Sequence, residues 1–359
     1  MKLLDEMLLV KKVEAAALCD IENQNVYGSS YIVKQNGKTL FKRHFGVTGE
    51  NKKAVDDKTL YRLCSMTKPV TAFATLLLVD RNQITLDDKI KKYLPQFKDE
   101  RVKIVHLLSH TSGICDYSDL PPETVTEKAL STVNDTVELF MDKDLLFAPL
   151  STDRYSGTVA FDFLVAIIEK VTGEEYTEFL KREVFIPCGM NDSGFIPTKE
   201  QWSRFIDVNG KVDGKCVKIN MKENCVFEKF PCTHTLGGAG LFSSLDDYSK
   251  FAEMLLNGGV TADGKRLLKK EVLDLMSTPV IDIENDWVSW GLGVRVVTDK
   301  DYPYLPTGIY GWSGAYGSHF WVDPENKITA VFMKNAGYDG GAGNKSSLRF
   351  EQAVKDSLI

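Results

Sequence analysis

"YRLCSMTKPV", Tyr61 to Val70, is the stretch on which the reading of this chain turns. It contains the chain's only Ser-x-x-Lys, Ser65 to Lys68, directly before Pro69. Proline lacks a backbone N–H and is tolerated in the first turn of a helix, where donors have no intrahelical partner. The residues from Met66 to about Arg81 are apolar on a helical period. A helix therefore begins at about Ser65, which places Ser65 at the positive end of the helix dipole, where a developing anion is favoured. Residues three apart share a helix face, so Lys68 projects beside the Ser65 hydroxyl. A serine hydroxyl is a poor nucleophile until a neighbour takes its proton, and an amine placed in this way can do so. By itself a Ser-x-x-Lys arises by chance about once in a chain of this size, so its meaning rests on what surrounds it.

Composition sets the outer bounds. The chain has 359 residues and a formal net charge of −6. That length fits one large domain or two intimate ones. No Lys/Arg tract interleaved with aromatics occurs, so a nucleic-acid partner is not expected. No apolar run approaches the roughly 18–20 residues that span a bilayer, so membrane insertion is not expected either. The first residues, "MKLLDEMLLVKKVEAAALCD", are broken by Asp5 and Glu6 and read as an amphipathic helix rather than an export signal. A cytoplasmic location follows as the expectation. Cys19, Cys64, Cys115, Cys188, Cys216, Cys225 and Cys232 form no C-x-x-C and read as reduced, mostly buried thiols. Cys216 and Cys225 would face each other across a hairpin, but no native disulfide is expected there.

No repeat or low-complexity tract interrupts the chain. "YGSSYIVKQNGKTLFKRHFGV" places two alternating runs around Asn36-Gly37, a strong hairpin signal. From Leu86 to about Gly173 the pattern is helical, through "DDKIKKYLPQF", "KIVHLLSH", "TVELFMDKD" and "TVAFDFLVAIIEKVTG". "SLDDYSKFAEMLLNGG" begins at a Ser/Asp cap and stops at Gly258-Gly259. The end returns to strands in "WGLGVRVVT", "SHFWVDPENK" and "ITAVFMKNA", then closes on a helix at about 346–357. Strands at both ends must pair to cover their edges. The expected fold is α/β of the α+β type: one antiparallel sheet built from both chain ends, flanked by helices, with a mainly helical insertion beside it. The sheet lobe would comprise about 1–62 and 205–359, the helical lobe about 63–204, and the site would lie in the cleft between them.

"SMTKPVTA", followed by "LLSHTSGI" at Leu107–Ile114, resembles the β-lactamase-related serine hydrolases of the class C type. "GEEYTEFLKREVFIPCGMNDSGF", "GGAGLFSSLDDYSKFAEMLLNGG" and "GWSGAYGSHFWVDPENK" extend the resemblance from about Gly28 to Asn335. It implies a β-lactamase/transpeptidase-like fold and a family that includes class C β-lactamases, DD-peptidases, D-aminopeptidases and esterases. It also implies that Ser65 is the acyl-accepting nucleophile and that Lys68 and Tyr155 share its proton, with the choice of base open because the two would titrate as a unit. The backbone N–H groups of Ser65 and Ala315 would form the oxyanion hole. Gly314 would let substrate approach the backbone. No metal or organic cofactor is implied, and the partner is a small acyl substrate.

Two positions depart from the family pattern. The Tyr-x-Asn triplet is Tyr155-Ser156-Gly157, so glycine stands where the asparagine should be. The Lys-Thr-Gly triplet is Trp312-Ser313-Gly314, so tryptophan replaces the lysine. The missing lysine would pair with a substrate carboxylate and the missing asparagine with an amide, a loss of roughly 2–4 kcal/mol of recognition for β-lactams and cell-wall peptides. Trp312 offers apolar surface instead, and Gly157 opens the pocket. Trp-x-Gly resembles the esterase branch, so a small carboxylic ester is favoured. A β-lactamase, DD-peptidase or D-aminopeptidase-like amidase is the alternative within the class, and a non-catalytic binding protein the alternative outside it.

Other candidates weigh less. His106 and His110 lack the intervening Glu of a zincin helix and read as capping or packing residues. His234 reads as structural and His319 as a candidate at the site rim. Cys64 reads as a buried neighbour of Ser65. "GWSGA" lacks the Gly-x-Ser-x-Gly spacing. "GGAGNK" at Gly340–Lys345 lacks the phosphate-loop spacing and reads as a loop near the cleft, and "GGAG" at Gly237–Gly240 as a close backbone packing point.

Overall fold

The structure, a computed structural model, describes residues 1–50, 52–221, 233–283 and 286–359. Cys225 and Cys232 lie outside the described residues, so the Cys216–Cys225 pairing falls outside them too. Cys216 itself is a free thiol.

An eight-stranded antiparallel sheet organises the chain. Its strands are β1 (Gly28–Gln35), β2 (Lys38–Gly46), β3 (Ile281–Asp282), β4 (Val288–Trp290), β5 (Arg295–Val297), β6 (Tyr310–Ser313), β7 (His319–Asp323) and β8 (Ile328–Met333). The order across the sheet is β2-β1-β8-β7-β6-β5-β4-β3, so the N-terminal hairpin pairs with the last strand, Ser30 opposite Met333 and Gln35 opposite Ile328. Asn36 (φ 52°) and Gly37 (φ 75°) both take the left-handed backbone that a tight hairpin needs.

Side chains alternate across the sheet. Tyr31, Trp321 and Phe332 pack on one face with Leu9, Val13 and Phe350. Leu9 and Val13 come from α1 (Glu6–Glu22), capped by Asp5; Phe350 is on the closing helix, Lys345–Lys355. Ile32, Phe320 and Val331 pack on the other face with Phe73, Phe161 and Phe251. These belong to α2 (Thr67–Asp80), α3 (Val159–Thr172) and α4 (Leu245–Leu256). Gly173 ends α3 in a left-handed turn (φ 69°), and Ser244 caps α4 by accepting from the Asp247 N–H. The closing helix is α5.

The middle of the chain is less helical than its periodicity suggests. "DDKIKKYLPQF" forms only a single 3₁₀ turn, Ile90–Lys92. Its backbone pairs elsewhere: Ile90 N–H donates to Val102 O (3.0 Å) and Ile104 N–H to Asp88 O (3.0 Å). Those bonds replace the local ones a helix would use. "WGLGVRVVT", read as strand, runs from the end of β4 through a turn at Gly293 (φ 71°) into β5. Among the described residues no helix is long and apolar enough to cross a membrane.

Candidate active site

Ser65 lies at the junction of a 3₁₀ turn, Cys64–Met66, and α2. Cys64 takes a left-handed backbone (φ 48°), which bends the chain sharply from the Tyr61–Arg62 strand into the helix. Thr67 fixes this bend: its hydroxyl donates to Cys64 O (2.6 Å) and accepts from the Leu241 N–H (3.0 Å). Burial pushes the Cys64 thiol up to about 12, so it stays protonated beside the serine.

Lys68 is fully buried. Its Nζ donates to Gly157 O (2.6 Å) and Gly238 O (2.9 Å), and lies 3.3 Å from Ser65 Oγ. Two carbonyls therefore hold two N–H groups, and the remaining valence of the nitrogen faces the serine. As ammonium it donates there; as amine it presents a lone pair. Tyr155 closes the other side, its hydroxyl donating to Ser65 Oγ at 2.6 Å. The Lys68 Nζ also lies 4.8 Å from the Tyr155 ring centroid. Trp312 Nε1–H donates to the Tyr155 oxygen at 3.3 Å, which directs the phenol proton toward the serine.

An aromatic wall surrounds Tyr155. Trp290 stacks on it with centroids 5.8 Å apart and planes at 17°, and Trp312 lies at 5.4 Å. Trp290 is in turn tied to Asp153 by an indole hydrogen bond of 2.8 Å. Trp312 stands where the resembled family carries lysine, so this wall is apolar.

Gly157 leaves open space. A Cβ there would meet only the Asp116 Oδ2, at 3.7 Å. Gly314 does the opposite: a Cβ would lie 2.3 Å from Leu63 O. Its glycine serves close packing of β6 against the segment leading into Ser65, which is a different reason from substrate approach. Gly341 N–H caps the same turn by donating to Gly314 O (3.1 Å), so the "GGAGNK" loop rests directly on it. Ala315, next along, is exposed. The backbone N–H groups of Ala315 and Tyr316 face the Cys64 sulfur, opposing the upward push of burial on that thiol.

The structure turns two expected contributors away from this site. Ser313 and His319 pair across the strands on the α5 face of the sheet, opposite to Trp312 and Phe320. His319 Nδ1 lies 2.8 Å from Ser313 Oγ and its Nε2 lies 2.8 Å from Glu351 on α5. His319 is 1% exposed, so it braces β6 from behind and does not border the cleft. Strand alternation is the reason: residues one apart point to opposite faces.

The sequence does not single out Asp162 or Trp290, and marks Gly238 only as part of the "GGAG" packing point. Gly238 accepts from Lys68, and its turn is held by Asp162, whose Oδ1 accepts from the Gly237 N–H (2.9 Å). His234 backs Asp162 at 3.0 Å. Trp290 comes from β4, and only the sheet order brings it beside Tyr155. His106 caps a short helix, its Nδ1 accepting from the Lys103 N–H (3.0 Å).

Comparison with known proteins gives this constellation its family. The β-lactamase family model matches residues 12–353. This chain belongs to the β-lactamase family. Esterase EstB of Burkholderia gladioli is 27% identical over 378 residues, covering 95% of this chain and 94% of the esterase. Penicillin-binding protein 4* of Bacillus subtilis is 31% identical over 170 residues, 46% of this chain. Among solved structures, EstCE1, described as a hydrolase with promiscuous acyltransferase activity, matches with a TM-score of 0.85 and 25% identity, covering 97% of this chain and 99% of that one. As a β-lactamase-family member with these relatives, the chain is an enzyme with the β-lactamase/transpeptidase-like fold.

Proposed function

We propose that this enzyme hydrolyses small, neutral carboxylic esters through an acyl-enzyme on Ser65. The observation that carries the reading is the convergence of Lys68 Nζ and the Tyr155 hydroxyl on Ser65 Oγ beneath an apolar Trp312. Ser65 Oγ attacks the ester carbonyl carbon, and its proton passes to the Lys68–Tyr155 pair. The oxyanion accepts from the N–H groups of Ser65 and Ala315. The intermediate collapses, the C–O bond to the alcohol breaks, and the leaving alkoxide takes the proton held by the pair. Water then attacks the acyl carbon by the same proton path in reverse, releasing the acid and Ser65. The site lies where the sheet lobe meets the helical lobe, with Trp312 from one and Ser65, Lys68 and Tyr155 from the other.

The test runs short-chain p-nitrophenyl esters, nitrocefin and a D-Ala-D-Ala peptide in parallel, on wild type and Ser65→Ala. Ester turnover lost in the variant, with little nitrocefin turnover, supports the proposal. Strong nitrocefin or peptide turnover would place the enzyme among the amidases of the family. Failure of wild type to form a covalent fluorophosphonate adduct at Ser65 would point to a binding protein.

A further inference from the structure

His110 forms contacts that exceed those of a packing residue. It is 1% exposed and has a left-handed backbone (φ 60°). Its carbonyl accepts from the Arg154 N–H at 2.9 Å. Its Nδ1 accepts from the Ser156 N–H at 3.1 Å. Arg154 and Ser156 flank Tyr155, so one residue grips the backbone on both sides of the tyrosine. The imidazole also lies against the tyrosine ring itself, with centroids 4.7 Å apart, and against Trp290 at 4.4 Å.

We infer that His110 is a positioning residue that sets where the Tyr155 hydroxyl stands relative to Ser65. This rests on the reading that Tyr155 shares the Ser65 proton. Tyr155 needs such a device because it is 38% exposed and sits in a segment without regular structure. Trp290 and Trp312 contact the ring and hydroxyl, while the polar anchors of the segment's backbone hold its flanks. Arg154 pairs bidentately with Asp119 (2.9 and 2.7 Å), and Asp116 accepts from the Ser156 hydroxyl (3.1 Å) and from the Thr158 N–H (3.3 Å). Neither touches the tyrosine ring.

The protonation state of His110 follows from its bonds. An Nδ1 that accepts has no proton, so the neutral ring carries its proton on Nε2. Among the described residues that buried Nε2 has no hydrogen-bond partner, whereas most buried polar groups are paired. Burial, with the Lys68 charge adding to it, holds His110 well below the usual histidine range. The neutral ring, and with it the acceptor at Nδ1, is therefore favoured at neutral pH.

Two substitutions separate the acceptor from the ring. Asparagine adopts the left-handed backbone readily and its amide oxygen can receive the Ser156 N–H. Phenylalanine keeps a ring of similar width and removes the acceptor. His110→Asn is expected to retain kcat for a p-nitrophenyl ester within about threefold, and His110→Phe to lose about 10²-fold in kcat with KM within about twofold, as a misplaced catalytic group does. Tyr155→Phe is run beside them. If His110→Phe keeps wild-type kcat while Tyr155→Phe is inactive, the inference about His110 is wrong and the site stands. If Tyr155→Phe keeps wild-type kcat, the underlying reading is wrong. Should His110→Phe not fold, His110→Asn decides: a loss as deep as about 10²-fold in that variant overturns the inference, because it keeps the acceptor and the backbone conformation.

Discussion

Replacing Gly314 by alanine perturbs the proposed oxyanion hole without touching a catalytic side chain. The new methyl carbon would lie 2.3 Å from Leu63 O and 3.2 Å from the Leu63 carbonyl carbon. Ordinary carbon contacts are about 3.5 Å, so β6 and the Leu63–Ser65 segment must part by about 1 Å. Ser65 follows Leu63 by two residues on one segment, and Ala315 follows Gly314 on the other. The separation therefore widens the gap between the two N–H groups proposed to hold the oxyanion. Overpacking of this kind costs about 1–3 kcal/mol. For a chain of this length the unfolding entropy converts that into a melting shift of about 1–4 °C. Loss of one oxyanion donor lowers kcat by about 10²–10³. Steady-state turnover of a short-chain p-nitrophenyl ester, read with a calorimetric melt, checks both numbers. A variant that melts a few degrees lower yet keeps kcat within about twofold of wild type would refute the assignment of Ala315 to the oxyanion hole.

Lys68→Met should lower ester kcat by about 10²–10⁴ and reduce the melting temperature, since the Gly157 and Gly238 carbonyls lose their buried donor. Wild-type turnover in that variant would remove Lys68 from the proton path. Gly157→Asn combined with Trp312→Lys restores the two departed motif positions, and asparagine has room because only Asp116 Oδ2 lies near. Nitrocefin kcat/KM is expected to rise by about tenfold or more while neutral-ester kcat/KM falls, as a regained charge-assisted bond implies; unchanged nitrocefin turnover would show that these positions do not set substrate class. His106 is pushed down to about 4 by burial, with Lys103 contributing. Its folded value lies below its unfolded value, so its contribution to stability is complete above about pH 6.5 and is lost as pH falls toward 4, by at most about 3 kcal/mol. Melting curves across that range should fall more gently in His106→Asn than in wild type, and identical slopes would exclude His106 as a source.

The sequence made the hairpin at Asn36-Gly37, the start of α2 near Ser65 and the end of α3 at Gly173 legible, because each is fixed by a local backbone requirement. The resemblance located Tyr155 and Trp312, and the structure brings both to Ser65. What was hidden depends on contacts between distant segments. The helical period of "DDKIKKYLPQF" was real but lost to backbone pairing with Val102 and Asp88, which no local pattern encodes. His319 was placed on the wrong face because β7 is apolar on both sides, Phe320 toward one core and Trp321 toward the other, so its pattern did not reveal which way the histidine pointed. Gly238 and Trp290 reach the site only through the turn beside Asp162 and through the strand order, and neither feature has a sequence period.

The joining of β1 to β8 also orders events during synthesis. β1 is made early, yet the strand that covers its free edge, Ile328–Met333, follows after most of the chain. At about 5–20 residues per second that edge waits about 15–60 s for its partner. The other edge of β1 is already covered by β2, whose charged Lys38, Lys42 and Arg43 discourage pairing with a stranger. The waiting side is the apolar run of β1, Tyr31 to Val33, which stays unpaired until β8 is made. Ser65 and Lys68 emerge well before Trp312 and Ala315, and a ribosome-bound chain halted before Tyr310 would carry the nucleophile without the Trp312 indole or the Ala315 N–H.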